Sequence, residues 1–235
     1  RIALTEAGRR YLEAVERILA EVAEADATAA ADRIEVQGTL RVSAPVSFGV
    51  REVAPLLPAL ARQHPALTIE LGLNDRFVNL VEEGWDVALR IGHLEDSSLI
   101  ARRIAPRRTV VCAVPSYLAA NGTPQTVAEL ATHNCLGYTL SRMVGWEHWC
   151  FGSDGRVAVP ITGNLRVNNG GGLVSAAISG QGVIYLPTFL VSTEMKAGRL
   201  VALALDHPPV ELGGIFVVYP SDRRPPAKVR AFIDF

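Results

Sequence analysis

Apolar residues recur along the first thirty positions at a spacing that belongs to one face of a helix. Tyr11, Val15, Ile18, Val22, Ala25 and Ala29 step by 4, 3, 4, 3 and 4 residues, and Leu12 and Leu19 widen the seam. Thr5 is placed to cap the helix and Glu6 to complement its dipole, although Gly8 stands where a capping box wants Glu or Gln. The pattern predicts a helix from Glu6 to about Ala31, roughly 39 Å long at 1.5 Å per residue. Such a seam can lie on the chain's own core or on a partner chain. Its narrowness and its late small alanines favour a partner, with Tyr11, Val15, Ile18 and Val22 as the dimerisation contacts. Arg33 to Gly38 then reads as a polar hinge.

Beyond the hinge, strand and helix patterns alternate. "TLRVSAP" reads as a strand ending at Pro45. "FGVREVAPLLPALARQHP" reads as a helix with Val50, Val53, Leu56, Leu57 and Leu60 on one side, bent or shortened by Pro55 and Pro58. "LTIELGLN" is a strand, "RFVNLVEEG" a helix closed by Gly84, and "DVALRIG" and "LIARRIA" two further strands. The second half repeats the alternation. "TVVCAVP", "CLGYTL", "VAVPITGNLRVN", "GVIYLP", "LVALAL" and "GIFVVYP" read as strands. "SYLAANG", "TVAELATHN", "GGLVSAAISGQG", "TFLVSTEMKAG" and "PPAKVRAFIDF" read as helices. This order predicts an α/β architecture with mainly parallel sheets.

Composition narrows the function. At 235 residues with 49% hydrophobic positions, the chain has enough apolar surface for one large domain or two small ones. No apolar run is long enough for a membrane span, and Glu6, Arg9, Arg10 and Glu13 interrupt the place of a signal core, so a cytoplasmic protein is expected. A net charge of −1 excludes a basic nucleic-acid wrapper, and "ARRIAPRRT" and "SDRRPPAKVR" read as solvated surface. The three cysteines are odd in number and form no C-x-x-C, against a disulfide framework or structural zinc. His148 and Cys150 in "WEHWC" read as packing rather than half a metal site. Glu82, Glu83 and Asp86 read as a charged helix end. No nucleophile elbow, zinc-protease helix, phosphate loop or dinucleotide fingerprint is present, so neither cofactor nor metal is expected.

Two stretches look suited to binding, and each reads equally well as an ordinary loop with good capping. In "RVSAPVSFG" a strand runs through Ser43, Pro45 and Ser47 into a helix start, where free backbone N–H groups and the helix dipole would attract an anion. In "RVNNGGGLVSAAISG" a second strand runs through Asn168 and Asn169 into a glycine-rich helix start. Two such corners predict a cleft between α/β lobes, with ligands collecting at the carboxyl ends of strands.

"LTEAGRRYLEAVERIL" resembles the junction of the winged-helix domain and linker helix in LysR-type transcriptional regulators. "GTLRVSAPVSFGVREVAPLLPALARQHPALTIEL", "LVEEGWDVALRIGHLEDSSLIARRIA", "CAVPSYLAANGTPQTVAELATHNCLGY" and "PPAKVRAFIDF" resemble that family's effector-binding domain, in order. The resemblance implies two Rossmann-like lobes of the type II periplasmic-binding-protein kind, preceded by a long linker helix. Residues 1–5 would be the remnant of a wing and 6–32 the linker. Residues 38–107 with 214–235 would form lobe I, and 108–213 lobe II. Effectors would contact Ser43, Ala44, Pro45, Val46 and Ser47, then Asn74, Arg90, Gly92 and His93. From lobe II they would meet Tyr138, Asn168, Asn169 and Gly170. Relatives commonly carry an acidic residue soon after "NNG", where this chain has Gly171 and Gly172. Arg90 in a cleft with two helix starts would favour a small carboxylate. The resemblance also implies a homodimer or homotetramer, and operator DNA read through a winged helix almost wholly missing from this chain. A transporter's solute-binding protein shares the lobe fold and is the alternative. An enzyme on that fold would have only Arg90, His93 and Tyr138 to work with.

Overall fold

The computed structural model describes residues 5, 15, 36–76, 79–92, 94, 98–141, 143–211, 213–220 and 225–235. Thr5 is exposed coil and Val15 is helical and half-buried. Tyr11, Ile18 and Val22 of the expected seam lie outside the described residues, as does His93.

The first lobe is built on a five-stranded sheet whose strands lie side by side in the order Leu67–Leu73, Gly38–Ala44, Val87–Gly92, Gly214–Pro220 and Leu99–Pro106. Strand β1 (Gly38–Ala44) sends Leu40, Val42 and Ala44 into the core and turns Arg41 and Ser43 to the opposite face, as the period of two requires. The chain then turns through a short helix α1 (Val46–Phe48), a π-helical turn (Gly49–Val53) and helix α2 (Leu57–Gln63). The two prolines explain this subdivision. Pro58 sits in the first turn of α2, where its missing N–H costs nothing, and the continuous helix expected from the pattern is broken. Phe48, Val53 and Leu60 reach the core, whereas Val50 and Leu56, expected on the buried side, are each 55% exposed.

Strand β2 (Leu67–Leu73) runs parallel to β1 over seven pairs, and β3 (Val87–Gly92) is parallel on the other side. Between them no helix forms among the described residues 79–84. Asn79 accepts hydrogen bonds from the N–H groups of Val81 and Glu82, so it caps a single turn instead of lying inside a helix. Gly84, at φ 68°, ends that turn. Strand β4 (Leu99–Pro106) leads towards the second lobe.

The second lobe opens with β5 (Thr109–Ala113) and α3 (Pro115–Asn121). The expected helix at "TVAELATHN" is a 3-10 segment (Ala128–Thr132), and the strands after it are short: β6 (Gly137–Tyr138), β7 (His148–Phe151), β8 (Val157–Pro160) and β9 (Arg166–Val167). Helix α4 (Gly170–Ile178), β10 (Ile184–Pro187), α5 (Thr188–Lys196) and β11 (Val201–Ala202) follow. Strand β5 is buried on both faces. Val111 and Ala113 enter one core with Trp149 and Tyr185, and Cys112 enters the other with Leu173 and Leu186. Its near-continuous apolar run has that cause.

The sheets are mixed, which corrects the expectation of mainly parallel pairing. Strands β10 and β11 both lie antiparallel to β5. The chain returns to the first sheet as β12 (Gly214–Pro220), antiparallel to β3 and β4, and finishes in α6 (Ala227–Asp234). A strand that re-enters a sheet from the neighbouring lobe arrives from the opposite end, and its direction is reversed accordingly. All three cysteines are buried free thiols. Hairpin β7–β8 buries Trp149 and Phe151, with Cys150 in the same wall. Among the described residues no three His, Cys, Asp or Glu side chains group to hold a metal, and no helix is long and apolar enough to cross a membrane.

Candidate functional site

The first corner follows β1. Ala44 is fully buried in the core and Pro45 takes φ −57°, ψ 140° to redirect the chain. The N–H of Val46, expected to be free for an anion, already donates to Asp75 Oδ1 at 2.9 Å. The chain itself sets Asp75 there. Asn74 donates its N–H to Ala44 O at 2.9 Å, and its Oδ1 accepts from the N–H of Arg76 at 2.9 Å. Asn74 therefore shapes an Asx turn that presents the next side chain. Ser43 is completely buried and its hydroxyl has no hydrogen-bond partner among the described residues.

The second corner is filled as well. Asn169, extended at φ −134°, ψ 129°, caps α4: its Oδ1 accepts from the N–H groups of Gly171 at 2.9 Å and Gly172 at 3.3 Å. That assigns its Nδ2 outward, and Nδ2 donates to Asp75 Oδ2 at 2.8 Å. Ser47 Oγ donates to Asn169 Oδ1 at 3.3 Å, so three polar side chains from both lobes meet at one point. Beside them Phe48 and Phe189 pack edge to face, with ring centroids 5.2 Å apart. Gly170 packs closely here: a Cβ would lie 2.5 Å from Leu190 Cδ1, so that side chain would have to shift where α4 packs on α5. Asn168, one residue earlier, is exposed and takes no part in the junction.

The charges are arranged differently from the expectation. Arg90 is buried on the sheet face away from the Leu40–Val42–Ala44 core and donates to Leu89 O at 3.3 Å. Burial pulls its pKa down, and the negative charge of Glu83 pushes it back up. Glu83 is thus one charge that Arg90 senses. Gly92 ends β3 at φ 130°, a conformation that favours glycine. Tyr138 is half-buried at the end of β6. Its phenol is pushed up to about 12 by burial first and by the charge of Asp75 second, against the opposing pull of Arg107. Arg107 is itself pulled down by burial, opposed by Tyr185 and Tyr138.

Val46, Ser47, Asp75, Tyr138 and Asn169 thus belong to one neighbourhood, whereas Ser43 shares its sheet face with Arg90 and Asn168 is exposed. The sequence reading passes over Asp75 and Arg107. Asp75 directly follows Asn74 at the end of a strand, a signal that could have found it. Arg107 was hidden in a basic run whose other members, Arg102, Arg103 and Arg108, are exposed as expected. The site offers hydrogen-bond donors and acceptors from two lobes, an arrangement suited to recognition and closure.

Comparison with known proteins agrees with this architecture. The LysR substrate binding domain profile matches residues 33–235. An uncharacterized HTH-type transcriptional regulator of Haemophilus influenzae is 37% identical over 226 residues, spanning 96% of this chain and 77% of the relative. The HTH-type transcriptional regulator CrgA of Neisseria meningitidis is 33% identical over 234 residues, spanning 100% of this chain and 78% of the relative. The solved structure of CrgA, a LysR-type transcriptional regulator, superposes with a TM-score of 0.77, covering 99% of this chain and 79% of that one.

Proposed function

The chain belongs to the LysR family of transcriptional regulators, and from that premise we propose that its effector occupies the cleft between the two corners. The observation that carries this placement is the meeting of Ser47 and Asp75 of one lobe with Asn169 of the other. Groups that already join two lobes are the ones through which a ligand can alter their separation. Residues 38–107 with 214–235 act as lobe I and 108–213 as lobe II. The chain works as a cytoplasmic homodimer or homotetramer, joined through the seam of Tyr11, Val15, Ile18 and Val22. Operator DNA is read by a winged-helix domain N-terminal to Arg1. The relatives compared above are transcriptional regulators, so the transporter alternative has no support. Catalysis is not part of this reading, because the relatives compared above are transcriptional regulators.

The effector is expected to use the unsatisfied hydroxyl of Ser43, since a buried hydroxyl without a partner costs stability that a ligand can recover. Thermal-shift screening of small carboxylates and aromatic acids tests this on the wild type and on Ser43→Ala. A ligand at 100 times its Kd adds about 2.7 kcal/mol to stability. A hit whose shift shrinks in the variant supports the placement, and equal shifts in both proteins would overturn it.

A further inference from the structure

We infer that Asp75 is a tethered carboxylate that fills the cleft's anion seat and holds the lobes together, so that a small carboxylate enters by displacing it. The inference rests on the reading of the cleft as the effector site. Each Asp75 oxygen engages a different lobe: Oδ1 accepts from Val46 N–H at 2.9 Å and Oδ2 from Asn169 Nδ2 at 2.8 Å. Bonds of this length to an ionised acceptor are the strong kind. Among the described residues no Lys or Arg lies within ion-pair distance of Asp75, and the two donors that meet it there, Val46 N–H and Asn169 Nδ2, are neutral.

Those donors do not depend on which carboxylate they meet. Val46 N–H is fixed by the turn after Pro45. Asn169 Nδ2 is fixed because its Oδ1 is committed to Gly171 N–H and Gly172 N–H. Two donors aimed at the two oxygens of one carboxylate form a template for that group. Asp75 is half-buried, so once displaced its charge can turn towards water at little cost. The seat also explains how Gly171 and Gly172 can replace an acidic residue: the negative charge arrives from the other lobe.

Chemical rescue tests the assignment on the full chain. Asp75→Ala empties the seat, and Asp75→Asn fills it with an amide whose oxygen can still accept from Val46 N–H. The amide's NH2 then faces the NH2 of Asn169, so only the bond from residue 75 to the other lobe is lost, and that between Ser47 and Asn169 remains. Sodium acetate at about 100 mM is expected to raise the melting temperature of Asp75→Ala by about 3 °C over sodium chloride of equal ionic strength. The wild type and Asp75→Asn should shift by less than about 1 °C. Equal shifts in all three, or none in Asp75→Ala, would overturn the seat. Small-angle scattering keeps the test decisive if Asp75→Ala does not fold. Asp75→Asn should show a larger radius of gyration than the wild type, and an unchanged radius counts against the latch. Rescue of Asp75→Ala by acetate with no effector found for the wild type supports the seat and removes the effector reading. An effector that shifts wild type and Asp75→Ala alike keeps the effector reading and overturns displacement.

Discussion

The two strand-to-helix corners are closed by different means. At the second, the cap is local: Asn169 sits beside the helix whose Gly171 and Gly172 N–H groups it accepts from. At the first, the group meeting Val46 N–H comes from Asp75, 29 residues away on the loop after the neighbouring strand. The bonds that Asn169 Oδ1 accepts from Gly171 and Gly172 stabilise only their own helix. A remote carboxylate has a second oxygen to spare, and here that oxygen is bonded to the other lobe. The two corners therefore couple the halves together, Asp75 reaching across from the first and Asn169 meeting it from the second.

Removing the residue common to both arrangements gives the largest expected effect. Asn169→Ala loses the helix cap, worth about 1–2 kcal/mol, and the charge-assisted bond to Asp75, worth about 1.5–3 kcal/mol. Urea unfolding should show it less stable than the wild type by about 3 kcal/mol in total. Asn169→Ser restores the cap but not the Nδ2 donor and should recover about 1 kcal/mol. Equal losses in the two variants would mean that the cap contributes nothing and the contrast between the corners fails.

That contrast also separates what could be read in the sequence from what could not. The alternation in "TLRVSA" and the continuous apolar run in "TVVCA" yielded β1 and β5 because burial on one or both faces leaves a pattern along the chain. Both corners were legible from Ser, Pro, Asn and Gly at strand ends. Their contents were not: the bond between Asp75 and Asn169 joins residues 94 apart, and no local pattern reports it. The same limit explains Arg90. Strand periodicity gives it a face, but not the Glu83 charge that it meets there. In "RFVNLVEEG" the helical spacing concealed that Asn79 is the better cap, which left room for one turn only. For the seam of Tyr11, Ile18 and Val22, the periodicity remains an expectation.

A smaller effect should appear in alkali, where a group in one lobe reports a charge in the other. Tyr138 has a phenol raised from 10.0 to about 12, by burial first and by the charge of Asp75 second. The unfolded chain therefore loses this proton first. Stability contributed by the neutral phenol is present below pH 10.0 and is lost as pH rises towards about 12. Tyr138→Phe should show a shallower fall over that window, measured by urea midpoints at successive pH values. The buried thiols of Cys112 and Cys135, also raised to about 12, add the same fall to both proteins and cancel in the comparison. Identical slopes would mean that the phenol does not sense the closed junction.

The smallest effect separates two adjacent asparagines that the sequence could not distinguish. Asn168 and Asn169 share a side chain and a place at the same corner, yet Asn168 is exposed and Asn169 is held by Gly171, Gly172, Ser47 and Asp75. An exposed side chain away from caps and buried networks changes stability by less than about 0.5 kcal/mol on truncation. Asn168→Ala should therefore unfold within that margin of the wild type, and its acetate response should match the wild type's. If Asn168→Ala instead weakened an effector while leaving stability untouched, Asn168 would be a ligand contact at the mouth of the cleft. The corner would then divide its work between two neighbours, Asn169 joining the lobes and Asn168 meeting what enters between them.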